Sequence, residues 1–199
     1  MDAPKPQLYF KGPNHTADLA LFRPSPQGPQ VLLIVRGKSA FACPGLPAFP
    51  GGFVNAKPSA LGLHEPAETF EQAAKREFEE ETGLRAGTDA DLLSLGTWSS
   101  AWRDPRNDAE REAQSHLFAA WVPEGFGEDP QGLDDCEPGQ TRWVLVASLA
   151  GATMAFDHGA MLSACCAKLG MPDPGAKSWA QEALWARSAA SAAPARPRP

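Results

Sequence analysis

The chain has 199 residues, 43% of them apolar, and a formal net charge of −6. That length and apolar share suffice for one domain with a buried core, while the acidic balance argues against a nucleic-acid-binding surface, which needs a basic stripe. No apolar run is long enough to span a membrane, and residues 1–12 lack the apolar stretch of a signal peptide, so a cytoplasmic protein is expected. Cys43, Cys136 and the adjacent Cys165 and Cys166 have neither metal nor redox spacing and read as reduced structural thiols.

Residues 1–15 are polar and interrupted by proline, as in an extended arm. Residues 18–22 and 31–35 are apolar runs split by Pro24, Pro26, Gly28 and Pro29, the pattern of two strands and a connection. Arg36-Gly37-Lys38 leaves the second run as a basic strand end, which is ordinarily solvated. Residues 39–50 are rich in Pro, Ala and Phe, as expected of a segment covering a site. Gly51-Gly52 follows, a pair that lets backbone approach closely, before Phe53 and Val54. Residues 55–65, with Pro58, Gly62 and then Pro66, read as loop.

The next stretch reads as a helix. Thr69 with Gln72 forms a capping-box pattern, Gly83 is a stop, and no Gly or Pro intervenes. At helical spacing Phe70, Ala73, Ala74, Glu77 and Glu81 fall on one stripe, which begins apolar and ends in two carboxylates. Glu80 flanks it, and Arg76 is placed to pair with Glu80 at i,i+4. A bare EFEEE is ordinarily a solvated acidic face. Here Lys75 and Glu79 already supply the solvent face, so the remaining acids point inward. Carboxylates crowded in this way repel unless a cation joins them, and their hard oxygens suit Mg²⁺ or Mn²⁺.

Glu68 together with Arg76-Glu77-Phe78-Glu79-Glu80-Glu81-Thr82-Gly83-Leu84 resembles the helix half of the Nudix box, GX5EX7REUXEEXGU. Gly62 completes the literal pattern. In that family, however, the glycine belongs to a Gly-Gly pair before an apolar residue, here Gly51-Gly52 before Phe53, so residues 55–65 read as an insertion between loop and helix. The resemblance implies an α/β fold, an α/β/α sandwich around a mixed β-sheet, over residues 16–170. It implies hydrolysis of a nucleoside diphosphate linked to another group, with Mg²⁺ or Mn²⁺ held by Glu77, Glu80, Glu81 and the Gly52 carbonyl. Arg76 would orient a glutamate, and Arg36 would face phosphate. A homodimer is a further implication, and neither a nucleic-acid nor a membrane partner is expected.

Residues 92–99 read as a strand, leading to Trp102-Arg103-Asp104-Pro105-Arg106-Asn107. The local reading is a turn with solvated arginines. The run also resembles the ADP-ribose-hydrolysing branch of the family, which implies Phe53, Trp102, Arg103, Asp104 and Arg106 as substrate contacts. Guanidinium suits bidentate phosphate binding and the indole suits stacking. Residues 108–114 are an acidic excursion before a strand over 115–122, with Glu110 and Glu112 as surface charge. The acidic loop over 124–140 offers Glu124, Glu128, Asp134, Asp135 and Glu137 as a base or further ligand, without choosing among them. Arg142-Trp143-Val144 begins another strand. Residues 155–169 look like the last helix, where His158 reads as a capping or packing residue. Residues 171–190 form a helical extension with its helix over 176–190, and 191–199 a disordered tail.

The expected activity is cleavage of ADP-ribose to AMP and ribose 5-phosphate. Alternatives are a non-catalytic ADP-ribose sensor, or a Nudix hydrolase of NADH, a nucleotide sugar or an oxidised nucleotide.

Overall fold

The computed structural model describes residues 8–59, 64–85, 92–122, 129–131 and 140–183. The first two apolar runs become strands β1 (Gly12–Arg23) and β2 (Gln30–Val35), antiparallel, with Phe22 opposite Val31. Two short strands follow, β3 (Pro47–Ala48) against β2 and β4 (Gly51–Phe53) against β1. A separate hairpin, β5 (Ala56–Pro58) and β6 (His64–Pro66), precedes helix α1 (Phe70–Thr82). Beyond it lie β7 (Leu93–Ser99), β8 (Arg111–Trp121) and β9 (Arg142–Leu145), the last passing into a 3-10 turn over Val146–Leu149. The chain continues with β10 (Thr153–Met154), α2 (His158–Leu169) and β11 (Lys177–Ser178).

The main sheet runs β3-β2-β1-β8-β7, with β4 also on β1 and β9 on β2. It is mixed: β1 and β8 are parallel, while the other pairs are antiparallel. Successive strand residues face opposite sides. Leu19, Leu21, Leu32 and Phe118 pack with Ala73, Ala74 and Phe78 of α1. Ala20, Phe22, Val31, Leu33 and Leu117 pack on the other side with Met161, Leu162, Cys165 and Cys166 of α2. Both faces are therefore covered, and the central strands read as unbroken apolar runs instead of alternating ones. This is the expected α/β/α sandwich.

Several boundaries differ from the sequence expectation. β1 starts inside the span expected as an arm, and β8 starts inside the expected acidic excursion. One cause serves both, since their parallel ladder runs from Gly12 opposite Arg111 to Phe22 opposite Trp121. Ladder hydrogen bonds come from backbone and need no apolar side chain. The insertion over 55–65, expected as loop, is paired as β5 and β6, with Lys57 opposite Glu65. The helix expected from Ala176 begins at Trp179, after β11 has paired with β10, and is described to Ala183. Among the described residues no helix is long and apolar enough to cross a membrane.

Candidate active site

Helix α1 begins where its capping box predicts: the Thr69 hydroxyl accepts from Gln72 N at 3.1 Å, and the Gln72 side chain accepts from Thr69 N at 2.8 Å. It ends at Gly83, which adopts the left-handed conformation with φ 70°. Its buried residues are Ala73, Ala74, Phe78, Glu81 and Thr82. Phe78 is therefore the central apolar contact, and the expected stripe turns so that Glu77 faces β4. Glu81 is only 5% exposed and accepts a hydrogen bond from Gly51 N at 2.8 Å. Burial pushes its carboxyl up to about 8; the Gly51 N–H opposes that rise and the Glu77 carboxylate adds to it.

Arg76 organises the remaining acids. Its Nη1 donates to Glu77 Oε1 at 2.7 Å and to Glu80 Oε2 at 3.0 Å; its Nη2 donates to Glu68 Oε1 at 2.7 Å and to the Phe53 carbonyl at 3.0 Å. The hydrogen bond to Glu68 is the main reason the guanidinium pKa is raised, and it holds the Glu68 carboxyl below its ordinary value. One cation thus joins the acids to the β4 loop. That loop is tight: a Cβ on Gly52 would lie 2.5 Å from Glu77 Cδ and displace the carboxylate, and one on Gly51 would lie 2.8 Å from Asp18 Cα, where backbone blocks it. Gly52 therefore adjoins Glu77, one of the acids of α1. Gly62 lies outside the described residues.

Glu77, Glu80 and Glu81 line a cavity of about 520 Å³ together with Arg76, Gly52, Phe53, Arg36, Arg103, Asp104 and Arg106. The expected site residues therefore meet in one cleft, with one exception. Trp102 is not part of the lining and is 46% exposed. Each lining arginine is held by an acceptor. Arg36 donates from Nε to the Ala42 carbonyl at 2.9 Å and lies 5.0 Å over the Phe156 ring. Arg106 is bidentate on Asp104, with its Nη2 at 2.7 Å and its Nε at 3.0 Å.

Arg103 is 3% exposed and pairs with Asp157 at 2.9 Å, with Asp18 3.9 Å away. Burial alone would lower its pKa; Asp157 outweighs that and raises it. Asp18 also accepts from Ser115 Oγ and lies 3.8 Å from His158 Nε2. The other His158 nitrogen, Nδ1, accepts from Phe49 N at 3.0 Å, and burial lowers the pKa of the ring. Asp18, His158 and Phe156 line the same cavity and were not singled out as site residues from sequence. Asp18 carried a signal, being a charge at the head of an apolar strand. Phe156 carried none, since its backbone strain, φ 49°, is visible only in the fold. The candidates Glu124, Glu128, Asp134, Asp135 and Glu137 lie outside the described residues.

Among the described residues no three His, Cys, Asp or Glu side chains are drawn together as a ready-made metal shell. The donor set nonetheless fits a hard divalent cation. Glu77, Glu80 and Glu81 are hard oxygen donors that one helix brings to the cavity lining. A Cβ on Gly52 would meet the Glu77 carboxylate, so the β4 backbone adjoins this donor.

The NUDIX domain model matches residues 13–165. The chain belongs to the NUDIX family. Membership makes it a Nudix pyrophosphohydrolase by class, and similar solved structures share the fold. The NUDIX domain of Shewanella oneidensis NrtR, complexed with ADP ribose, is 24% identical with TM-score 0.62, over 80% of this chain and 90% of that one. A mutT/nudix family protein from Listeria innocua is 28% identical with TM-score 0.57, over 79% and 94%. Shewanella oneidensis NrtR complexed with a 27mer DNA is 23% identical with TM-score 0.56; there the match covers 77% of this chain and 61% of NrtR. No curated protein matches.

Proposed function

We propose that this NUDIX protein hydrolyses the diphosphate bond of a nucleoside diphosphate derivative, with ADP-ribose as substrate and AMP and ribose 5-phosphate as products. The observation that carries this reading is one cavity lined by Glu77, Glu80 and Glu81 together with Arg36 and Arg106. Mg²⁺ or Mn²⁺ held by the three glutamates and the Gly52 carbonyl would offset the charge of the diphosphate and acidify water. The chain's own groups do the placing. Arg76 fixes Glu77 and Glu80, and Gly51 N fixes Glu81. Arg36 and Arg106, in the same lining, offer guanidinium groups to the phosphates. Arg103 stays with Asp157 and positions the segment that carries Arg106. The family likeness to a domain complexed with ADP ribose and the Asp104-Pro105-Arg106-Asn107 run support ADP-ribose in particular.

Chromatographic detection of nucleoside monophosphate released from a panel of nucleoside diphosphate derivatives, run with Mg²⁺ and with excess chelator, tests the proposal. ADP-ribose should be turned over with Mg²⁺ and not with chelator. Full turnover in chelator rejects the metal requirement. Preference for NADH or a nucleotide sugar rejects ADP-ribose and leaves the hydrolase reading standing, whereas tight binding without turnover indicates a sensor.

A further inference from the structure

Two segments far apart in sequence meet over the cavity and form an aromatic lip. Phe10, just before β1, stacks on His64 of the inserted hairpin, with centroids 3.7 Å apart and planes at 19°. Tyr9 meets Phe53 edge-on at 4.8 Å and 80°. The Arg106 guanidinium lies 5.2 Å from the centre of the same Phe53 ring. All five side chains line the cavity.

The segment before β1 is tied down: Leu8 is 3% exposed, Phe10 N donates to Asn14 Oδ1 at 2.9 Å, and Asn14 Nδ2 donates back to the Phe10 carbonyl at 2.8 Å. Anchored backbone nevertheless holds Tyr9 69% exposed beside the cavity. Burial does not explain that placement, and an exposed aromatic at the rim of a cleft marks a binding surface. Phe53 connects the lip to the acids, because its carbonyl accepts from Arg76 while its ring carries Tyr9 and Arg106.

We infer that this lip is the nucleobase subsite, an inference that rests on the nucleotide-hydrolase reading above. The base of the nucleoside half stacks on Tyr9 and Phe53, with the Phe10–His64 pair as the wall behind them. Aromatic faces suit any base, since each presents a π-face, and the nearby Arg106 adds attraction to it. The subsite also assigns work to the hairpin: the insertion supplies His64, so this chain's wall is built from residues outside the box motif.

The test uses the full chain as wild type, Tyr9→Ala, Tyr9→Phe and His64→Ala. AMP and ribose 5-phosphate binding are measured by equilibrium dialysis with Mg²⁺ present, and KM is measured for ADP-ribose. Tyr9→Ala should weaken AMP binding and raise KM by about 3- to 10-fold while ribose 5-phosphate binding is retained. Tyr9→Phe should recover most of the loss, and His64→Ala should shift AMP in the same direction. Equal loss of AMP and ribose 5-phosphate, or no loss of either, overturns the subsite. So does a change in solution mass in place of AMP affinity, which makes the lip a contact between copies. If the wild type cleaves no nucleoside diphosphate, the hydrolase reading fails separately, and the AMP arm still decides the subsite.

Discussion

Glu81 combines burial, a backbone hydrogen bond and a neighbouring carboxylate, and two expectations follow from that combination. Glu81→Gln keeps the size and removes the charge, so kcat should fall by at least about 10³-fold, measured on ADP-ribose at saturating Mg²⁺. The second concerns stability without metal. The Glu81 carboxyl titrates near 8 when folded against 4.5 for the ordinary group, so between those values the folded state holds a proton that the unfolded state has lost. Stability from this group is therefore full at low pH and is lost as pH rises through that window. Urea unfolding in chelator should show it, with Glu81→Gln flattening the slope and Mg²⁺ stabilising more at pH 8 than at pH 5, where the ion competes with the proton. Arg106 and Asp104 separate along different lines. Asp104 is buried and accepts from three nitrogens of Arg106, among them its backbone N at 2.7 Å. Arg106→Ala should raise KM by roughly 10- to 150-fold and cost about 1–3 kcal/mol of stability, because the buried Asp104 carboxylate loses its guanidinium partner and keeps only the backbone donor. Asp104→Asn should lower stability with much less effect on KM, read from thermal unfolding beside the kinetics.

At the scale of elements, the hairpin of β5 and β6 is the informative one. Ala56 and Pro66 are cross-strand partners, so their backbones lie close enough for a short link to replace what lies between. That replacement should keep metal dependence, because the acids and the β4 glycines remain, and it should raise KM for ADP-ribose through loss of His64. A chimera whose KM matches the wild type would show the hairpin to be idle. What was legible in sequence divides along the same line. Glu77, Glu80, Glu81 and Arg76 could be read because one helix brings them together through local periodicity, and Gly52 because a Gly-Gly pair stands before an apolar residue. The sheet faces could be read from apolar runs. The lip could not, since Phe10 meets His64 only after β1 has joined the sheet and the hairpin has folded over it. Arg103 was legible as a residue type but not in its setting, because its partner Asp157 sits at the start of α2. Trp102 shows the converse: its ring type suited stacking, yet it is not part of the cavity lining.

For the whole molecule, the parallel pair of β1 and β8 has a consequence in time. β1 contributes Asp18 to the floor of the cleft and holds the glycine strand along one edge, while its other edge pairs from Gly12 with Arg111 to Phe22 with Trp121. On a ribosome adding about 5–20 residues per second, β1 leaves the catalyst's partner edge bare for roughly 5–20 s before β8 is made. Contacts of such long sequence separation also slow folding from the denatured state. An open edge beside Leu19, Leu21 and Phe22 is where another nascent chain would add a strand. Refolding yield should therefore fall steeply with protein concentration, as light scattering during dilution from urea would register, and a peptide spanning residues 111–121 added at the start should restore it.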